Sequence, residues 1–176
     1  MSKTVTIFGS SIPRPGDAEY ESASRLGCLL AEAGLNVCTG GFQGIMDAVS
    51  KGASEKGAEA IGVTVNIFNA RPSIYLTKEI KCNTLMERLT KLVEIGDAYI
   101  ILNGGTGTLL ELSLVWECIN KELIKEKPCA AVGTMWNDMI SLMEKQIERE
   151  KRKTGLIRCF DEVEKCADYV INSLKQ

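Results

Sequence analysis

The chain has 176 residues, with 21 Lys and Arg against 23 Asp and Glu, and a net charge of −2 offers no basic footprint for nucleic acid. At 45% apolar and 25% charged residues it reads as one globular domain, residues 1–176, large enough for a full core without metal or disulfide support. No apolar run reaches membrane-spanning length and Met1-Ser2-Lys3-Thr4 leads straight into a strand pattern, so the expectation is a cytoplasmic protein with no membrane partner.

There is no histidine, which excludes His-based triads and imidazole metal ligands; any catalysis has to rest on carboxylates, Arg, Lys, Tyr, Cys or backbone donors. Cysteines 28, 38, 82, 118, 129, 159 and 166 form no C-x-x-C pair and mostly sit inside apolar patterns. They read as buried thiols, and no metal site is expected.

Strand-like and helix-like segments alternate along the chain. Residues 5–9 form a first short strand, 17–33 a helix closed by Gly34, 35–39 a second strand, 45–56 a second helix and 60–65 a third strand. A helix at 83–95, a fourth strand at 97–102, a helix at 109–122 and a fifth strand at 129–133 follow, and helices at 137–153 and 162–174 close the pattern. This alternation predicts an α/β fold with a doubly wound parallel sheet and helices on both faces. The strands are apolar throughout, as parallel strands covered on both sides are.

Three predicted strands end in loops of small residues: Gly9-Ser10-Ser11, Gly40-Gly41-Phe42-Gln43-Gly44, and Asn103-Gly104-Gly105-Thr106-Gly107-Thr108. In a doubly wound sheet ligands bind beyond the carboxyl ends of the strands where the strand order reverses, which puts the first and fourth strands at the crevice. The last loop runs directly into an apolar helix, so its bare backbone amides and the helix dipole can converge on an anion such as a phosphate. The plainer reading is a tight connection, although glycine at 104, 105 and 107 exceeds what a turn requires. None of the loops matches G-x-G-x-x-G or G-x-x-x-x-G-K-[ST], so neither an NAD fingerprint nor a P-loop is supported.

Glu111 lies one turn into that helix, where its carboxylate either faces the anion site or closes a capping box over Thr108-Leu109-Leu110-Glu111. Spacing does not choose between them. Arg88 falls on the flank of an apolar stripe formed by Leu85, Met86, Leu89, Leu92 and Val93. It can turn inward, but composition favours an arginine that lays its stem on the core and keeps its head in water.

Asn103-Gly104-Gly105-Thr106-Gly107-Thr108-Leu109-Leu110-Glu111 resembles the P-G-G-x-G-T-x-x-E motif of the LOG (Lonely Guy) family of cytokinin-riboside 5′-monophosphate phosphoribohydrolases. That family belongs to a broader group of Rossmann-like proteins, some of which are named lysine decarboxylases. Met86-Glu87-Arg88 resembles the family's upstream M-x-x-R-K or M-x-E-R-K segment, Gly40-Gly41-Phe42-Gln43-Gly44-Ile45-Met46 its G-G-x-x-G-x-M, and Gly9-Ser10-Ser11 its first loop. The likeness runs from about Val5 to Trp136.

The resemblance implies hydrolysis of the N-glycosidic bond of a nucleoside 5′-monophosphate to free base and ribose 5-phosphate, without a cofactor. It implies Arg88 and Glu111 as catalytic residues. It implies Gly9, Ser10, Ser11, Gly40, Gly41, Gly44, Met86, Gly104, Gly105, Thr106, Gly107 and Thr108 as the phosphate- and nucleotide-binding set. It further implies a homodimer with pockets near the interface, and the many apolar positions between Leu109 and Ile119, with Trp116 and Cys118, agree with a second buried face. The chain departs from the pattern at Asn103, which replaces proline, at Leu89, which replaces the lysine after the arginine, and over residues 65–81. Pyridoxal-dependent decarboxylation is not supported, since no Schiff-base lysine motif is recognisable. The alternative is a non-catalytic protein that holds a nucleotide or a molybdenum-cofactor-type molecule in the same cleft.

Overall fold

The computed structural model describes residues 2–175. Seven strands form one parallel sheet: β1 (Thr4–Phe8), β2 (Asn36–Thr39), β3 (Ala60–Val65), β4 (Lys78–Cys82), β5 (Ala98–Ile101), β6 (Cys129–Val132) and β7 (Arg158–Phe160). They lie in the order β4-β3-β2-β1-β5-β6-β7, every pair parallel. The order reverses between β1 and β5, so these adjacent central strands form the switch point and the doubly wound expectation holds.

Six helices cover the sheet: α1 (Ala18–Glu32), α2 (Ile45–Glu55), α3 (Leu85–Ile95), α4 (Thr106–Asn120), α5 (Thr134–Arg149) and α6 (Val163–Leu174). One core gathers α1, α2 and α6 around Val5, Ile7, Val37 and Ile100; the other gathers α3, α4 and α5 around Phe8, Val63, Tyr99 and Ile101. Alternate residues of β1 therefore feed opposite cores, as the period of two along a strand requires. Against one face α1 and α2 approach backbone to backbone, since a Cβ at Gly27 would stand 2.3 Å from the Val49 carbonyl oxygen and one at Gly52 2.0 Å from that of Ser24. Among the described residues no helix is long and apolar enough to cross a membrane.

Two strands lie outside the sequence reading. β4, Lys-Glu-Ile-Lys-Cys, is an edge strand whose first four side chains are exposed or half-buried, and β7 is a three-residue strand at the other edge. Edge strands form from ladder hydrogen bonds and carry little of the apolar signal that marks central ones. Two helices also begin earlier than predicted, α4 at Thr106 and α5 at Thr134. The first of these shifts changes what Glu111 can do.

Candidate active site

Beyond the carboxyl ends of β1 and β5 the three small-residue loops are bolted together through the Ser10 backbone. Its amide donates to the Asn103 carbonyl at 2.9 Å, and its own carbonyl accepts from Ile45 N–H, at the start of α2, at 2.8 Å. Gly44 holds this junction at φ +72°, where a Cβ would lie 2.4 Å from the Ser10 oxygen, and a Cβ at Gly104 would lie 2.1 Å from Thr108 Oγ1. Gly41, Gly44 and Gly104 therefore serve close packing between loops and do not line the cleft.

The cleft itself has a volume of about 530 Å³, within the range of small-molecule sites. Gly9, Ser10, Ser11, Gly40, Gly105, Thr106, Gly107 and Thr108 all line it, as the sequence reading expects. A Cβ at Gly105 or Gly107 would meet no protein atom within 4 Å. Neither glycine has a steric reason inside the protein, so what their bareness leaves open is access to the backbone from the cleft. Gly105 is the N-cap of α4, and the amides of the first turn after it have no intrahelical acceptor to satisfy them.

Among the described residues, Arg88 and Glu111 are the only charged side chains that line the cleft. Thr84 caps α3 by accepting from Glu87 N–H, which turns Leu89, Leu92 and Val93 to the core and carries Arg88 in with them. The arginine is 5% exposed, so its head does not reach out to water. Its Nε donates to the Val63 carbonyl at 2.9 Å and its Nη1 to Glu111 Oε1 at 3.2 Å. The space for the guanidinium comes from Gly40, where a Cβ would stand 1.8 Å from Nη2.

With α4 starting at Thr106, Thr108 is already inside the helix and cannot cap it. The capping-box reading of Glu111 falls, and its carboxylate goes to Arg88 instead. Burial pushes this carboxyl up to about 7, outweighing the guanidinium, whose charge and hydrogen bond both pull it down. Glu111 is thus held where its charge state changes near neutral pH.

Met86 does not join this group. It is 66% exposed and absent from the cleft wall, whereas its neighbours Leu85 and Leu89, one turn apart on the inward face with Arg88, line it. Sequence reasoning also passed over Phe42, Met46 and Phe68, which line the cleft on the Arg88 side. Phe42 and Met46 stand within the segment that resembles G-G-x-x-G-x-M; Phe68 lies in the stretch after β3 that carries no recognisable motif. Asn103, at the family's proline position, donates from Nδ2 to Glu19 Oε1 at 2.9 Å and so ties the glycine loop to α1.

The SLOG cluster4 family model matches residues 2–161. The chain belongs to this family. As an SLOG cluster4 protein it carries LOG-type sequence: it is 30% identical over 137 residues to a cytokinin riboside 5′-monophosphate phosphoribohydrolase of Rhodococcoides fascians, an alignment that covers 74% of this chain and 68% of that one. It is 38% identical over 103 residues to a pyrimidine/purine nucleotide 5′-monophosphate nucleosidase of Escherichia coli K12, covering 53% of this chain but 23% of the longer enzyme. In three dimensions the SLOG cluster4 chain is similar to a molybdenum cofactor binding protein of Rippkaea orientalis, with a TM-score of 0.79 at 21% identity over 100% of this chain and 99% of the other. That likeness establishes the shared fold.

Proposed function

We propose that the protein hydrolyses the N-glycosidic bond of a nucleoside 5′-monophosphate, releasing free base and ribose 5-phosphate. The observation that carries this reading is the Arg88–Glu111 ion pair, whose two members are the only charged groups among the described residues of a cleft with a neighbouring wall of bare helix-end backbone. The activities named for the two sequence relatives support it.

In this reading the 5′-phosphate sits against the unpaired amides of the Gly105 to Thr108 turn, beside the Ser10-Ser11 loop, leaving the ribose over Glu111. The bond from C1′ to the base nitrogen breaks with its electron pair leaving on the base, and the sugar becomes oxocarbenium-like. Ionised Glu111 stabilises that cation and orients the water whose oxygen then bonds C1′, while the water's proton is passed on to solvent or the departing base. Arg88 fixes the carboxylate and favours its ionised form. No histidine is needed.

The test is incubation with a panel of nucleoside monophosphates, following free base and ribose 5-phosphate together. Release of both in equal amounts supports the reading. Tight binding of a monophosphate without release, unchanged in Glu111→Gln, replaces it with a carrier.

We also propose a homodimer through α4 and α5. Met135, Leu142 and Met143 are exposed there beside a 460 Å³ groove floored by Leu112 and Trp116, and Trp116 Nε1 is buried with no acceptor among the described residues. An apolar face of this kind with an orphaned donor calls for a covering surface. The seven unpaired thiols fit a reducing compartment, and we place the protein in the cytoplasm on that ground.

A further inference from the structure

The cleft has two ends of different chemistry. Ser10, Thr106 and Thr108 gather at the glycine-loop end, where a Cβ on Gly104 would touch both Thr108 and the Ser10 amide. On the other side of the Arg88–Glu111 pair the wall is Phe42, Met46, Phe68, Ala70, Leu85 and Leu89. A Cβ on Gly40 would meet both Arg88 and Met46, and the Arg88 guanidinium carbon lies 6.0 Å from the Phe42 ring centre and 5.8 Å from that of Phe68. Among the described residues that line this end, no side chain other than Arg88 carries a charge, a carboxamide or a hydroxyl.

Phe68 comes from the connection between β3 and β4. That connection is fastened to the second glycine loop by Ser73 N–H donating to the Gly41 carbonyl at 2.9 Å and Gln43 Nε2 to the Arg71 carbonyl at 3.3 Å. Docked there, the Phe68 ring stands 5.8 Å from Phe42 at an interplanar angle of 66°, edge to face. Yet Phe68 remains 41% exposed. A ring held against a cleft with one side uncovered is a surface for another flat group.

We propose that Phe68, backed edge to face by the buried Phe42, forms the seat of the leaving base, which receives a nucleobase by its π face and leaves the base's hydrogen-bonding edge unread. The proposal rests on the N-glycosidic reading above and names what that reading leaves open, the acceptance of bases. With phosphate at the glycine loop and base on Phe68, C1′ falls at Arg88 and Glu111, which lie between. Sites that hydrogen-bond a substrate group reject its absence by about 10⁴-fold or more, whereas apolar pockets discriminate by about 10²-fold or less. Purine and pyrimidine monophosphates should therefore differ by less than about a hundredfold in kcat/KM.

The experiment measures dissociation constants of adenosine monophosphate, cytidine monophosphate and ribose 5-phosphate by titration calorimetry, in a Glu111→Gln background that slows turnover by about a hundredfold or more. Adding Phe68→Ala should weaken both nucleotides by roughly 10- to 100-fold, the scale of one base–aromatic stack, and leave ribose 5-phosphate within about twofold. Phe68→Tyr should restore nucleotide binding, and Phe68→Leu, which fills the space without a π face, should fall between. Equal weakening of ribose 5-phosphate, or nucleotide binding indifferent to Phe68, overturns the seat. If binding depends on Phe68 but the wild type releases no base, the hydrolase reading fails and the seat stands; if the wild type binds no monophosphate, both fail.

Discussion

Glu111→Gln should make the protein more stable and far less active. Glutamine keeps a side-chain oxygen for Arg88 but behaves as a carboxyl that never ionises. In the wild type the folded carboxyl loses its proton only near about 7, against 4.5 for an ordinary glutamate. Below pH 4.5 it is neutral in both states and costs nothing. Between 4.5 and 7 the unfolded chain ionises first, so stability falls with rising pH, and above about 7 the loss is complete. A displacement of that size corresponds to about 3 kcal/mol, or roughly 6 to 12 °C in Tm for a chain of this length. Thermal unfolding at pH 8 should show Glu111→Gln melting higher than wild type by an amount of that order, with the two converging at pH 4.5. Turnover should drop by about a hundredfold or more, because stabilisation of a developing cation contributes several kcal/mol. The wild-type kcat/KM should rise with pH through about 7 as the carboxylate forms. A variant that melts lower than wild type at pH 8, or that turns over within threefold of it, would refute the reasoning.

Other substitutions probe the walls of the cleft and the outer face. Gly40→Ala puts a methyl group where the Arg88 guanidinium stands and should cost turnover about as much as Arg88→Ala, with a near-native circular dichroism spectrum; undiminished rates would show that the arginine can sit elsewhere. Gly107→Ala meets no protein atom, so Tm should hold within about 2 °C while the affinity for ribose 5-phosphate drops about tenfold or more; unchanged affinity in calorimetry would remove the phosphate from this turn. Sedimentation should give a dimer at micromolar concentration and a monomer for Leu142→Glu, which charges the exposed face of α5; a wild-type monomer would count against the interface.

The doubly wound core and the crevice at β1 and β5 are legible in the sequence because buried parallel strands are continuous apolar runs and the loops after them are unusually small. Edge strands β4 and β7 are not, since their pairing depends on a neighbour's open ladder and not on their own apolarity. At Glu111 the sequence leaves two readings open, and the choice turns on the helix beginning at Thr106, set by Gly105 at the cap. Arg88 is misread by composition because everything that makes its burial tolerable comes from other elements: the Val63 carbonyl on β3, the missing side chain of Gly40 after β2 and the acceptor oxygen of Glu111 on α4. Met86 follows its motif in sequence but is turned about 100° from the inward direction by helix geometry. Phe68 has no local pattern at all to announce it.

The double anchoring of Ser10, by Asn103 on one side and Ile45 on the other, divides the labour of change within the molecule. One rim of the cleft is locked to the sheet and to α2, so a ligand group arriving there finds its partners already in position and little ordering cost remains to be met. The opposite rim hangs from a surface connection whose hold on the second glycine loop is two hydrogen bonds, one of them from a side chain. Insertions or substitutions in that connection can reshape what is accepted without disturbing a single bond at the Ser10 junction. A lineage built on this plan can inherit its grip on the invariant portion of a molecule unchanged and exchange its preference for the variable portion one loop at a time.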